Sequence, residues 1–179
     1  MSIKNLADLS ACDPRILTST NLEIKKSRNG KWISQTFKVN NNHIEDITSL
    51  PSLVNELFDN VSNLIWLDMS CNNIAHIPNV GCFLSLFSIS AQSLGCLKHL
   101  KIIYLHGNLI TTFQEVIKLK QLPYLSKLTL HGNPVEKERG YFHTVLSILP
   151  NLITLDFTGI SRADKQTAAL VRRPGQNNQ

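Results

Sequence analysis

Residues 100–110 read LKIIYLHGNLI, and residues 125–135 read LSKLTLHGNPV. Aligned on Leu105-His106-Gly107-Asn108 and Leu130-His131-Gly132-Asn133, both satisfy one frame, L-x-x-[LI]-x-L-x-x-N-x-[IV]. Residues 64–77, LIWLDMSCNNIAHI, carry it upstream through Leu64, Leu67, Met69, Asn72, Ile74 and Ile77. Residues 37–47, FKVNNNHIEDI, carry it again through Phe37, Val39, Asn42, Ile44 and Ile47.

A frame of this form returning every 20 to 29 residues is the signature of a leucine-rich repeat. Each repeat gives one short strand, and the asparagine turns inward to satisfy backbone groups of neighbouring turns. The expected fold is α/β: a right-handed leucine-rich-repeat solenoid with a parallel concave sheet, about five repeats and a C-terminal cap.

The framework asparagines, used as a ruler, also expose an irregularity. They fall at positions 42, 72, 108 and 133, leaving gaps of 30, 36 and 25 residues. The first gap holds Ser49 to Phe58, with apolar residues at 50, 53, 54, 57 and 58. That is amphipathic-helix spacing, with Ser49 placed as N-cap and Pro51 in the first turn. The second gap is too long, and its surplus is the apolar run VGCFLSLFSISAQ at 80–92. Deleting those 13 residues leaves a gap of 23, normal for the class. The run begins with Val, whose codons all start GT, and ends with Gln, one of whose codons is CAG. It is therefore either a short intron translated in frame or a genuine insertion looping off the convex or edge side.

Residues 1–31 lack the frame and are expected to form an irregular arm, part of it capping the first repeat. The leucine-rich-repeat domain is assigned to 32–170 and a disordered tail to 171–179. Within the domain, 115–123 predicts a short helical turn or two, 139–149 a longer convex helix, and 152–157 a fifth, terminal strand. A polar helix then closes the open core, capped by Ser161 with Asp164 at its third position.

Bulk properties bound the function. At 179 residues and 42% apolar composition the chain supports one domain with a sizeable core. The net charge of +5 sits partly in Lys25, Lys26, Arg28, Lys31, Arg172 and Arg173, outside the repeats, which points to solubility rather than a nucleic-acid groove. The cysteines Cys12, Cys71, Cys82 and Cys96 form no C-x-x-C pair and no zinc spacing, so reduced thiols in an intracellular compartment are expected. No charged-then-apolar signal pattern opens the chain, and the longest apolar stretch, 80–89, is about half a membrane span. No G-x-S-x-G, phosphate loop, dinucleotide fingerprint or H-E-x-x-H is present, so no enzymatic activity and no cofactor are expected.

The stretch GNPVEKERGYFHTVLSILPNLITLDFTGISRADKQTAA at 132–169 resembles the terminal capping arrangement of the short intracellular leucine-rich-repeat family. That family includes the phosphatase-one regulator of the Sds22 type, the U2 snRNP A-prime protein and axonemal dynein light chain one. The NNN at 40–42, LIWLDMSCNNI, IIYLHGNLI, FQEVIKL, LTLHGNPVEKERGY and LDFTGISRADKQTAA extend the resemblance over roughly 31–170, and 80–92 departs from it. The resemblance implies a cytoplasmic, non-enzymatic protein associated with cilia or flagella.

The frame also assigns outward positions. The first concave column is Thr36, Trp66, Ile102, Lys127 and Thr154; the second is Lys38, Asp68, Tyr104, Thr129 and Asp156; the third is Asn40, Ser70, His106, His131 and Thr158. A protein partner is expected on this face, at Trp66, Asp68, Ile102, Tyr104, His106, Lys127, Thr129 and His131, because aromatic anchors dominate interfaces. Against this, Trp66 could pack on the arm or a loop of its own chain. His106 and His131 should stack, but no further ligand is evident in their column and no metal is expected. With Lys38 and Lys127 against Asp68 and Asp156, the face reads as nearly neutral, which argues against nucleic acid. A monomer without a membrane segment is expected. The alternatives are a ribonucleoprotein component of the A-prime kind and a phosphatase-regulatory subunit.

Overall fold

The computed structural model describes residues 25–78 and 97–171. Residues 1–24, the run at 80–92 and residues 172–179 lie outside the described residues.

The described part of the expected irregular arm is a hairpin: β1 (Lys25–Lys26) pairs antiparallel with β2 (Trp32–Ile33). Asn29-Gly30 closes it, with Gly30 in the left-handed region at φ 76. Trp32 is buried edge-on against Phe58 at 5.7 Å, and Phe58 against Phe37 at 5.5 Å. Three aromatic rings thus close the first end of the core. Lys31 Nζ donates to Asn55 O at 2.7 Å and pins the hairpin down.

The main sheet orders five parallel strands by chain position: β3 (Thr36–Lys38), β4 (Trp66–Asp68), β5 (Ile102–Tyr104), β6 (Lys127–Thr129) and β7 (Thr154–Leu155). The register aligns Phe37, Leu67, Ile103, Leu128 and Leu155 as one buried row, so the intervening residues face the other way. This is a leucine-rich-repeat solenoid.

The strands stop after three residues for a local reason. The residue before each framework asparagine has positive φ: Asn41 57, Cys71 54, Gly107 66 and Gly132 72. The chain turns there, and the asparagine side chain swings inward. Asn108 Oδ1 accepts from Ile74 N at 3.0 Å while its Nδ2 donates to Met69 O and Leu105 O. Asn72 and Asn133 do the same for Ile44 N and Ile110 N. Each asparagine thereby ties one repeat to the one before it and satisfies buried amides that have no strand partner.

The opposite face carries α1 (Leu50–Leu57), α2 (Phe113–Ile117) and α3 (Tyr141–Ile148). Ser49 stands at the N-cap of α1 as expected, but its own backbone is already helical and its side chain makes no capping bond. Pro134 begins a 3-10 turn at Pro134–Lys137.

The expected strand over 152–157 is cut short. Asp156 and Phe157 both take positive φ, 51 and 64, and the chain reverses there. β8 (Thr158–Gly159) then runs antiparallel to β7. Asp is one of the few non-glycine residues that tolerate this backbone. The closing helix α4 (Arg162–Leu170) carries the predicted capping box: Ser161 Oγ accepts from Asp164 N at 3.1 Å, and Asp164 Oδ2 accepts from Ser161 N at 2.8 Å.

Candidate functional site

The register brings the sequence-selected residues onto one face. Trp66 aligns with Ile102 and Lys127, and Asp68 with Tyr104 and Thr129. His106 and His131 continue past the ends of β5 and β6, where the LHGN phrase leaves the strand.

Aromatic rings run unbroken across this face. Trp66 meets Tyr104 at 5.4 Å and Tyr104 meets Phe157 at 5.4 Å, both edge-on. Phe157 lies 5.7 Å from His131, and His131 stacks on His106 at 4.6 Å with planes 7° apart. Lys38 Nζ sits 4.1 Å above the Trp66 ring, a cation–π contact. Among the described residues, the ring contacts of Trp66 are with Tyr104 and Lys38, its concave neighbours. Among the described residues its buried Nε1 has no hydrogen-bond partner.

Phe157 is a residue the sequence frame missed. Counting straight along a strand puts Thr158 beside His131; the double left-handed corner puts Phe157 there instead, 62% exposed. The available signal was the Thr158-Gly159 turn pair behind an aspartate, which only weakly specifies a reversal.

Two of the eight selected residues do not present themselves to a partner. Asp68 is only 8% exposed, and its Oδ1 accepts from Ser70 N at 3.1 Å and Ser70 Oγ at 2.6 Å. Thr129 is buried with its Oγ1 2.8 Å from His106 Nδ1. Both support the face from beneath.

Asp156 departs from its expected column as well. Its Oδ1 accepts from Leu130 N at 2.6 Å and His131 N at 2.9 Å and lies 3.3 Å from His131 Nδ1. Its Oδ2 accepts from the Tyr141 hydroxyl at 2.7 Å. A carboxylate therefore does adjoin the histidine pair, contrary to the sequence reading. Even so, among the described residues no group of three or more His, Cys, Asp or Glu is placed to hold a metal ion.

Both acids counted on this face are turned inward and spent on backbone amides and hydroxyls, whereas Lys127 is exposed. Both acids still act electrostatically on the face, each pulling on His106. Burial, reinforced by repulsion from His131, holds the His106 imidazolium below its ordinary range against the pull of Asp68 and Asp156.

Comparison with known proteins follows the same outline. No family model matches the sequence. The mouse protein named leucine-rich repeat-containing protein 51 is 38% identical over 175 residues, covering 97% of this chain and 82% of the mouse protein. The U2 small nuclear ribonucleoprotein A' of Candida albicans is 29% identical over 154 residues, 86% of this chain and 57% of that protein. Among solved structures, the Drosophila melanogaster SNF/U2A' complex contains a chain of similar fold, with TM-score 0.59 and 18% identity, covering 88% of this chain and 90% of that one. These relatives are leucine-rich-repeat proteins, and none indicates an enzymatic family. No helix among the described residues is long and apolar enough to cross a membrane.

Proposed function

The chain belongs to the leucine-rich repeat-containing protein 51 family, and on that premise we propose that it is a non-enzymatic scaffold that holds a protein partner on its concave face. The observation that carries this reading is the continuous ring surface of Trp66, Tyr104, His106, His131 and Phe157 on the outward face of a sheet. An aromatic patch on a pre-formed sheet loses little side-chain entropy on binding, so more of its contact energy remains as affinity. Ile102 and Lys127 extend the patch on β5 and β6. The place of action proposed for it is the cytoplasm of ciliated cells, at the axoneme.

Trp66→Ala combined with Tyr104→Ala should abolish capture of the partner from cells while leaving the melting profile near wild type. Loss of folding instead would assign these rings to the core and remove the basis of the reading.

A second reading is a ribonucleoprotein component, favoured by the 29% identity to the Candida albicans U2 A' protein. Axonemal fractionation supports the first reading; nuclear staining with RNase-sensitive co-purification supports the second.

A further inference from the structure

Phe157 is 62% exposed, yet three rings stand against it. Tyr104 lies at 5.4 Å and 74°, His106 at 6.0 Å and 64°, and His131 at 5.7 Å and 57°. Aromatic rings carry negative faces, so a cluster of them open to solvent favours a cation as guest. The chain itself already places one on this face, where Lys38 Nζ rests 4.1 Å from the centre of the Trp66 ring. That ring is thereby occupied, while more than half of the Phe157 surface stays open.

The charges around the cluster favour the same guest. Asp68 of β4 accepts from the amide and hydroxyl of Ser70. Asp156 at the corner accepts from the Leu130 and His131 amides and the Tyr141 hydroxyl. Neutral donors of this kind leave the negative charge of a carboxylate in place. Its field reaches the rings: burial and then His131 lower the His106 pKa, while Asp68 and Asp156 both pull it up. The burial that opposes a charge on His106 is not imposed by the exposed Phe157. Lys127 stands with Trp66 and Ile102 at the start of the strands, whereas Phe157 follows the end of β7.

We infer that this face receives a basic segment of the partner protein, with an arginine side chain laid on the Phe157 ring within the field of Asp68 and Asp156. The inference deepens the concave-face reading and rests on it. A guanidinium suits the place better than an ammonium, because it is planar, stacks on ring faces and sheds its water more readily. An acidic segment or a phosphate backbone meets the opposite field, since the ring faces and both carboxylates repel an anion.

The test uses the full chain with oligo-L-arginine as the basic probe. Oligo-L-citrulline, of like shape but uncharged, is the neutral control; oligo-L-glutamate and oligouridylate are the anionic rivals. Ring signals of Phe157 and Tyr104 are followed by NMR, so that binding elsewhere on the chain is not counted. The expected result is a saturable shift of both signals with oligo-L-arginine and none with the other three. Phe157→Leu keeps an apolar side chain but removes the ring, and should weaken the binding read at Tyr104 about tenfold. Phe157→Tyr should retain it. Unmoved ring signals, equal binding of oligo-L-citrulline, undiminished binding by the Phe157→Leu variant, or tighter binding of either anion would each overturn the inference. If the Trp66 and Tyr104 variants lose the cellular partner while oligo-L-arginine leaves Phe157 unmoved, the basic-segment inference fails and the concave-face reading stands. If those variants retain the partner, the concave-face reading fails, and the inference with it.

Discussion

The Tyr141 hydroxyl donates to Asp156 Oδ2 at 2.7 Å, tying the convex helix of the fourth repeat to the corner that ends the sheet. That corner aims Phe157 at the histidine stack and turns Asp156 inward, so one part-buried bond positions the most exposed ring of the concave face. Tyr141→Phe should therefore cost about 2 kcal/mol of unfolding free energy, since it strips one partner from a part-buried carboxylate. Denaturant titration reads this directly, and a change well below 1 kcal/mol would show that the bond contributes little.

The same bond makes a pH prediction. Burial, then the hydrogen bond and charge of Asp156, push the Tyr141 phenol far above the ordinary tyrosine range. The folded chain therefore keeps a proton that the unfolded chain releases. Its stability contribution is complete below the ordinary tyrosine pKa and is lost as pH rises beyond it. In an ultraviolet difference titration, Tyr141→Phe should remove no phenolate signal before the alkaline unfolding transition. Loss of signal earlier would contradict the placement.

Gly132 of the second LHGN phrase is held to glycine by the close approach of the neighbouring turn, whereas Asn41 and Cys71 tolerate the same left-handed backbone in other repeats. Gly132 has φ 72, and a Cβ there would lie 3.2 Å from Gly107 N and 3.3 Å from Gly107 Cα. Gly132→Ala should cost about 2–3 kcal/mol, because the strain meets a backbone wall that cannot move aside. Gly159→Ala, with nothing within 4 Å of its Cβ, is the control and should be near neutral. Equal effects on the two denaturation curves would refute the argument.

Glu115 supplies an acid-side counterpart. It is buried, which alone would raise its pKa, but Lys118 at 2.8 Å and the Ile77 amide at 2.6 Å outweigh burial and lower it. Its contribution is present above the ordinary glutamate range and is lost as pH falls through it. Glu115→Gln should flatten the acid limb of the stability profile while leaving the alkaline limb unchanged; an unchanged acid limb would show that the group does not contribute.

How far the chain could be read in advance follows from the reach of the interactions involved. The strands at Trp66, Ile102 and Lys127 and the inward asparagines were legible because a repeat writes the same local constraint several times. The capping box at Ser161 and Asp164 was legible because both partners lie within one helical turn. The Asp156 corner was not. Its reversal depends on two left-handed residues that nothing repeats, and on bonds to Leu130, His131 and Tyr141 that lie 15 to 26 residues away. From that one miss came the absence of Phe157 from the selected site.

A partner held on the concave face lies within reach of Lys127. Photo-crosslinking from a benzophenone side chain at position 127, exposed on the concave face, is the direct measurement, set against the same probe at position 120, exposed beyond α2 on the opposite side. Crosslinking in ciliated cells at 127 and not at 120 is the predicted result. A partner captured at 120 and absent at 127 would contradict it.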